Sequence, residues 1–273
     1  MMMEMKKMNF SKLIGIIIGL SLILACSAAA VTDSGALLSP KTIGTGIVKE
    51  NIQKFTESPD AVVTYKGMKE FSMGKMYEVA TNAGDMYYVN ANTGDIEVAM
   101  IRNAVSTKSM KVKDIGGMKE PVQKFVEKNY RNFNTKKMTL VDSKIIEHGD
   151  AAKEYEFYWN EMSGEAYTLS SVKVSVYPDR NNTITYVAFD RPLLVDTTPE
   201  VSRANAETTA LSTLKMGAAA TTTSKLVVRP SGDSQKLVWL VNTVQMDDEG
   251  YSYGGIVTVD AISGEVLSVN PVL

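Results

Sequence analysis

The stretch Val259-Asp260-Ala261-Ile262-Ser263-Gly264-Glu265-Val266 closely matches Val89-Asn90-Ala91-Asn92-Thr93-Gly94-Asp95-Ile96, far earlier in the chain. Both have apolar residues on either side of a short polar turn that contains glycine, which is the pattern of a β-hairpin. Glycine suits such a turn because it adopts a left-handed backbone at no steric cost. Pro178-Asp179-Arg180-Asn181-Asn182 occupies the corresponding place between them, with asparagine as the next best residue. The chain therefore contains an internal repeat, predicted as three copies of one unit.

A helix pattern and a strand pattern precede each hairpin. Proline is favoured at the first position of a helix, so each helix is predicted to begin at a proline. These prolines, at spacings of 81 and 78, are Pro40, Pro121 and Pro199. The aligned strands are predicted over 75–82, 153–160 and 235–242. Each ends in asparagine, and these asparagines are 78 and 82 residues apart.

Alternation along the strands predicts which faces are buried. In the second copy, Tyr155, Phe157 and Trp159 alternate with Glu154 and Glu156, which indicates one buried face and one wet face. The strand of the third copy is apolar along its length, so we expect it to be covered on both sides.

The repeat predicts an α+β fold of three tandem repeats, each with one helix packed on an antiparallel meander of three or four strands. The predicted domains are copy 1 (36–104), copy 2 (105–195) and copy 3 (196–273), after an N-terminal segment, 1–26. Copy 1 is about ten residues shorter between its strand and its turn, enough to shorten or delete one strand.

The N-terminal segment has the features of a secretion signal: lysines, then an uncharged run over 13–31, then small residues. Leu22-Ile23-Leu24-Ala25-Cys26 resembles a lipobox, which makes Cys26 the candidate site of lipid attachment. Two alternatives stay open, an uncleaved membrane anchor and cleavage after Ala30. All three place the rest of the chain outside the cytoplasm, either membrane-anchored or secreted.

Composition excludes several classes of function. The chain of 273 residues carries 29 basic and 31 acidic residues, which disfavours a nucleic-acid partner. One cysteine and one histidine exclude a Cys-rich zinc site, an iron–sulfur cluster and most His-based catalysis. We therefore predict a non-enzyme, with no catalytic residues, no metal ligands and no cofactor.

A few residues of the chain could suggest a catalytic or metal site. His148 is interpreted as a solvated turn residue rather than a base, since no nucleophile lies near it in the sequence. Asp247-Asp248-Glu249-Gly250 lacks the alternating spacing of a calcium loop and is interpreted as an acidic hairpin. Three weak signals remain. The methionines Met68, Met73 and Met76 are interpreted as core and surface residues rather than a soft-metal site. The others are a basic stretch, interpreted as a solvated helix face with an anionic polymer or lipid headgroup as the alternative, and a glycosylation sequon: Lys108, Lys111, Lys113, Lys119, Lys124, Lys128; and Asn181-Asn182-Thr183.

The closing segment Val257-Thr258-Val259-Asp260-Ala261-Ile262-Ser263-Gly264-Glu265-Val266-Leu267 resembles the end of a PepSY domain. Copy 1 looks similar through Tyr87-Tyr88-Val89-Asn90-Ala91-Asn92-Thr93-Gly94-Asp95-Ile96, and copy 2, with Tyr155-Glu156-Phe157-Tyr158-Trp159, is similar to the related YcdB/YcdC-type repeat. The resemblance implies a non-catalytic extracytoplasmic module of a kind thought to restrain peptidases or wall hydrolases.

The sequence thus predicts a membrane-anchored protein that binds and inhibits a secreted or envelope peptidase or hydrolase. Recognition is expected through an exposed sheet edge or hairpin that pairs with an extended segment or blocks a cleft. The alternative is a structural or spacer protein of the envelope without a regulatory partner. An enzyme that uses a pair of carboxylates is a third hypothesis, which a deep pocket lined by converging acids would favour.

Overall fold

A computed structural model describes residues 42–71, 74–102, 114–148, 152–178, 183–217, 219–232, 234–247 and 249–272. The N-terminal segment, Cys26, Pro40 and the sequon asparagines lie outside the described residues.

The helices and strands of the described chain follow one another in a recurring order. Copy 1 contains α1 (Thr45–Thr56), β1 (Val63–Phe71), β2 (Gly74–Thr81), β3 (Met86–Asn90) and β4 (Ile96–Ile101). Copy 2 contains α2 (Ile115–Asn129), β5 (Met138–His148), β6 (Ala152–Ser163), β7 (Ala166–Tyr177) and β8 (Thr183–Phe189). Copy 3 contains α3 (Arg203–Thr213), β9 (Thr221–Ser231), β10 (Ser234–Met246), β11 (Ser252–Asp260) and β12 (Val266–Val272).

The prediction that the helices begin at the prolines is wrong for α2 and α3. Asp114 caps α2 through a hydrogen bond that its side chain accepts from the Gly117 N–H at 2.8 Å, and Pro121 lies inside the helix. Ser202 caps α3 by accepting from the Asn205 N–H at 3.2 Å, several residues beyond Pro199. A side-chain acceptor satisfies a helix-end N–H directly, and this determined where each helix begins.

The predicted fold class is wrong in its architecture. The strands of all three copies belong to one twelve-stranded sheet rather than to three separate meanders. Copies 1 and 2 join where β4 pairs antiparallel with β8, from Val98 opposite Val187 to Ile101 opposite Ile184. The physical reason is the free edge of each meander, because unpaired backbone groups on two such edges can satisfy one another.

Copy 3 joins the sheet differently. Tyr167 of β7 pairs with Val227 of β9 in a parallel bridge, which makes the sheet mixed. The segment between β8 and α3 is held by Gln235, whose side chain accepts from the Leu194 N–H at 2.8 Å and donates to the Pro192 carbonyl at 2.8 Å.

The described residues form two apolar cores. The first lies under α1 and α2 together and extends over the strands of copies 1 and 2. Phe55 of α1 connects the two helices, with its ring 5.7 Å from that of Phe125 in α2 and 5.3 Å from that of Tyr186 in β8. The second core lies under α3 and includes Trp239.

The predicted burial of the strands is only partly correct. Tyr155, Phe157 and Trp159 are buried as expected, but Glu154 and Glu156 on the supposed wet face are buried as well. Long side chains on the neighbouring strands β5 and β7 account for this, since Lys144 and Lys173 both pair with Glu156. Strand β10 is buried on both faces at Val238 and Trp239, in agreement with the prediction.

The predicted strand alignment is two residues out of register between copies 1 and 3. Tyr77 pairs with Val89, and Trp239 pairs with the equivalent Val259. Tyr77 donates from its hydroxyl to the Ile43 carbonyl at 2.6 Å, and Trp239 donates from its indole to the Val201 carbonyl at 2.8 Å, so the two have the same role. A shift of two keeps every side chain on its face, which is why alternation alone did not reveal it.

Candidate functional site

A cleft lies where copy 1 meets copy 2. Its walls come from the tip of the β3–β4 hairpin, the beginning of β4, the C-terminal end of α2 and the end of β8 with the two residues after it. The β4–β8 pairing therefore creates this cleft, and neither copy contains it alone.

The hairpin tip is shaped by its own polar residues. The Asn90 side chain accepts hydrogen bonds from the N–H groups of Asn92 and Thr93 at 2.9 and 3.1 Å. Gly94 has φ 79°, the left-handed conformation that glycine favours. Asn51 of α1 donates to the Gly94 carbonyl at 2.8 Å, and this local geometry places Asp95 at the rim of the cleft.

One wall holds a buried ion pair between the two copies. Arg191 donates to both carboxylate oxygens of Glu97, at 2.9 and 3.2 Å, and Asn90 donates to the same carboxylate at 2.8 Å. The Glu97 side chain is 3% exposed, so this bidentate pair is shielded from water. It fixes the relative position of β4 and the end of β8.

Lys136 contacts residues of the same wall without lining the cleft itself. Its ammonium lies 3.0 Å from Asp190 and 3.3 Å from Glu161, and it also donates to the Ser170 hydroxyl and the Arg191 carbonyl. The Asn132 amide donates to Asp190 as well. One lysine thus forms ion pairs with two carboxylates.

The rim carries a second, exposed ion pair. Arg131 lies 3.2 Å from Asp95, and their side chains are 67% and 34% exposed. Exposed pairs of this kind contribute little to stability because water and salt screen them. Arg131 is therefore the charged group of the cleft that can move at least cost.

Two tyrosines line the interior. Burial raises the pKa of the Tyr130 hydroxyl above its usual range, and the carboxylates of Asp190, Glu161 and Asp95 raise it further. Burial, with Tyr130 and Asp95 nearby, likewise raises the pKa of Tyr186. Both hydroxyls therefore stay protonated at neutral pH.

The arrangement favours recognition over acid–base chemistry. Asp95 faces Arg131, Glu97 faces Arg191, and Asp190 faces Lys136. Each of these carboxylates is engaged by a cation, an arrangement that suits a fixed recognition surface better than proton exchange with a substrate.

The structure places the sequence candidates elsewhere. His148 ends β5, 41% exposed, with Nε2 2.7 Å from Glu154 and its ring stacked on Tyr177. It is therefore paired with a carboxylate and not simply solvated. Burial acts to raise the pKa of Glu154, but hydrogen bonds from Ser175, His148 and Tyr177 outweigh it, and the pKa lies below its usual range.

The acidic loop and the basic helix have structural partners. Asp247 lies between β10 and β11 and accepts from the Glu249 and Tyr251 N–H groups at 3.0 and 2.7 Å. Lys124 pairs with Glu120 on α2, and Lys128 pairs with Glu57 after α1. Of the methionines, Met76 is buried and Met68 is exposed, while Met73 lies outside the described residues, as do Lys108, Lys111 and Lys113.

Sequence reasoning missed the cleft residues because they come from both copies and are far apart in the chain. Asp190 and Arg191 follow β8 directly, and no local sequence pattern pairs Arg191 with Glu97. Within the described ranges, no group of three or more His, Cys, Asp or Glu side chains could hold a metal ion. In that same part of the chain, no helix is long and apolar enough to cross a membrane.

Comparison with known proteins gives few matches. No protein-family model matches the chain, and no curated protein matches it. Among solved structures, the Bacillus megaterium YpeB C-terminal domain is similar, with a TM-score of 0.49 and 11% sequence identity. The match covers 85% of this chain and 99% of that chain.

Proposed function

We propose that the chain is a PepSY-like, non-catalytic protein that acts outside the cytoplasm, binds a secreted or envelope peptidase or hydrolase, and inhibits it. The observation that carries the binding role is the cleft between copies 1 and 2, where each lining carboxylate is held in an ion pair. The class of partner follows from the PepSY resemblance. Attachment through the N-terminal segment, by Cys26 or by an uncleaved anchor, belongs to the same proposal.

The hairpins that resemble PepSY support a scaffold role for that motif. Asp260 accepts from the Ile262 and Ser263 N–H groups at 2.9 and 3.1 Å, as Asn90 does in copy 1. The Ala261 carbonyl accepts from the Val201 N–H at 2.9 Å at the entry to α3. Because these backbone groups are used within the fold, we place recognition at the side chains of the cleft, which include Asp95 of the copy 1 hairpin, and not at the turns themselves.

Addition of a strand to the sheet is the less favoured mode of binding. The strands at the ends of the described sheet are β1, β5 and β12, and the pairing next to each of them contains a register shift. The strand β12 also includes Pro271, which cannot donate a backbone hydrogen bond. Bulges and proline are devices that hinder edge pairing, so these edges are poor templates for an extended segment.

The test is capture by the full-length chain from secreted and membrane fractions, followed by an activity assay of any peptidase or wall hydrolase identified. We expect one such enzyme to be captured and to lose activity as the chain is added. Asp95→Lys at the cleft should weaken capture, whereas Glu70→Lys, the same charge change on exposed β1, should not. Capture of no such enzyme, or an enzyme whose activity does not fall, would leave the structural or spacer role as the better account.

A further inference from the structure

The cleft contains a tyrosine hydroxyl that makes no hydrogen bond to the described residues. Tyr186 is 1% exposed, and its ring is enclosed by Phe55 and Phe125. Among the described residues its hydroxyl has no hydrogen-bond partner, although Tyr186 lines the cleft. The only fully buried side-chain polar atom without a partner in that part of the chain is Asn160 Oδ1, so the Tyr186 hydroxyl must reach the cleft surface.

The charges around this hydroxyl have a negative excess. The cleft and its supporting network contain four carboxylates, those of Asp95, Glu97, Glu161 and Asp190. Three cations oppose them, those of Arg131, Lys136 and Arg191. The excess lies beside Lys136, which is shared by Asp190 and Glu161, and Arg131 at the rim is free to turn toward solvent.

We propose that the cleft binds a primary ammonium group, such as that of a lysine side chain. The Tyr186 hydroxyl would accept one of its N–H bonds, and the Asp95 and Asp190 carboxylates would accept others. This inference deepens the proposed function, and it rests on that function for the claim that a protein partner carries the ammonium.

An anionic ligand fits the same observations less well. Arg191 is already held at two points by Glu97, so it has little capacity for another carboxylate. The raised pKa of Tyr130, to which three carboxylates contribute, is consistent with a negative potential inside the cleft.

The test uses the full-length chain labelled with ¹³C-tyrosine and follows the Tyr130 and Tyr186 ring signals in NMR titrations. We expect a saturable shift with n-butylammonium chloride, and none with sodium butyrate, n-butanol or sodium chloride at matched ionic strength. Tyr186→Phe should weaken binding about tenfold, the effect of removing a hydrogen bond to a charged group. Tyr253→Phe, an exposed tyrosine of copy 3, is the matched control and should leave binding unchanged.

Two rim variants keep the proposal testable if Tyr186→Phe disturbs the core. Asp95→Asn should weaken n-butylammonium binding several-fold, and Arg131→Gln should strengthen it by a similar factor. A blocked peptide with one lysine and an unblocked peptide without lysine distinguish a side-chain ammonium from an N-terminal amine. Equal shifts with butanol or butyrate, or unchanged binding in a folded Tyr186→Phe protein, would overturn the proposal.

The amine titration and the capture experiment fail separately. If n-butylammonium binds but no peptidase or hydrolase is captured, the ammonium site stands and the proposed function fails. If an enzyme is captured and inhibited by the Tyr186→Phe chain as by the natural one, the proposed function stands and the ammonium site is wrong.

Discussion

Copies 1 and 2 are joined far more extensively than copies 2 and 3. At the first junction, β4 and β8 pair over four residues each, one core lies under both helices, and a buried ion pair crosses between the copies. At the second junction, β7 and β9 share a single parallel bridge, and copy 2 contributes only a small part of the described core under α3, through Ala166, Leu169 and Val195. The comparison teaches that repetition in sequence does not produce equal units, because the edge strands decide which copies share a core.

The largest expected effect comes from removing an aromatic ring from each core. Phe55→Ala should lower the free energy of unfolding by about 3–5 kcal/mol, since it leaves a cavity among Phe125, Tyr87 and Tyr186. Hydrogen exchange should show lost protection in copies 1 and 2 together. Trp239→Ala should have a similar cost but act within copy 3. Loss of protection confined to copy 1 in the Phe55→Ala protein would show that copies 1 and 2 do not share a core.

A smaller effect is expected from breaking the buried ion pair at the first junction. Arg191→Met leaves Glu97, 3% exposed, without its cation, and should destabilise the protein by about 3 kcal/mol in urea unfolding at neutral pH. The double variant with Glu97→Gln should recover part of the loss, because it removes the unpaired charge. If the double variant is no more stable than Arg191→Met, the charge is not the cause.

Two equivalent hairpin glycines, Gly94 in copy 1 and Gly264 in copy 3, allow these copies to be compared directly. Gly94 and Gly264 both have φ 79°, so alanine costs about 1–2 kcal/mol at either position. A Cβ at Gly94 would also lie 2.8 Å from Asn51 Nδ2, whereas at Gly264 the nearest atom is 3.6 Å away. Thermal unfolding should therefore show Gly94→Ala to be the more damaging. Equal losses would mean that the α1 contact with the hairpin adds nothing.

The smallest effect is a pH dependence of stability that differs between copies 1 and 3. The equivalent turn position is Asn90 in copy 1, which does not titrate, and Asp260 in copy 3, which does. Burial acts to raise the pKa of Asp260, but hydrogen bonds from the Ser263 and Ile262 N–H groups and the Lys236 ion pair outweigh it and lower the pKa. A pKa that folding lowers stabilises the protein at pH values above the unfolded-state pKa of about 3.9. This stabilisation is lost as the pH falls through the pKa of the folded state. Asp260→Asn should reduce the acid sensitivity of exchange in copy 3 without affecting copy 1. An unchanged pH profile would contradict this.

Local sequence determined the hairpins, the buried face of β6 and the burial of β10 on both faces. These features depend on turn residues and alternation over a few positions, as Asn90 and Asp260 show with the same backbone hydrogen bonds. The domain bounds and the N-terminal signal remain predictions. The sequence also supplied the PepSY resemblance, through the residues of the hairpins.

Tertiary structure alone decided the joining of the copies and therefore the cleft. The pairing of β4 with β8 unites residues as distant as Val98 and Val187, and no local pattern encodes which free edge a strand will meet. The same contact brings Arg191 to Glu97 and places Tyr186 in one cleft with Asp95 and Arg131. The helix starts also escaped prediction, because a capping side chain and not a proline determines them. The burial of Glu156 and Glu154 escaped it because lysines pair with Glu156 and His148 pairs with Glu154.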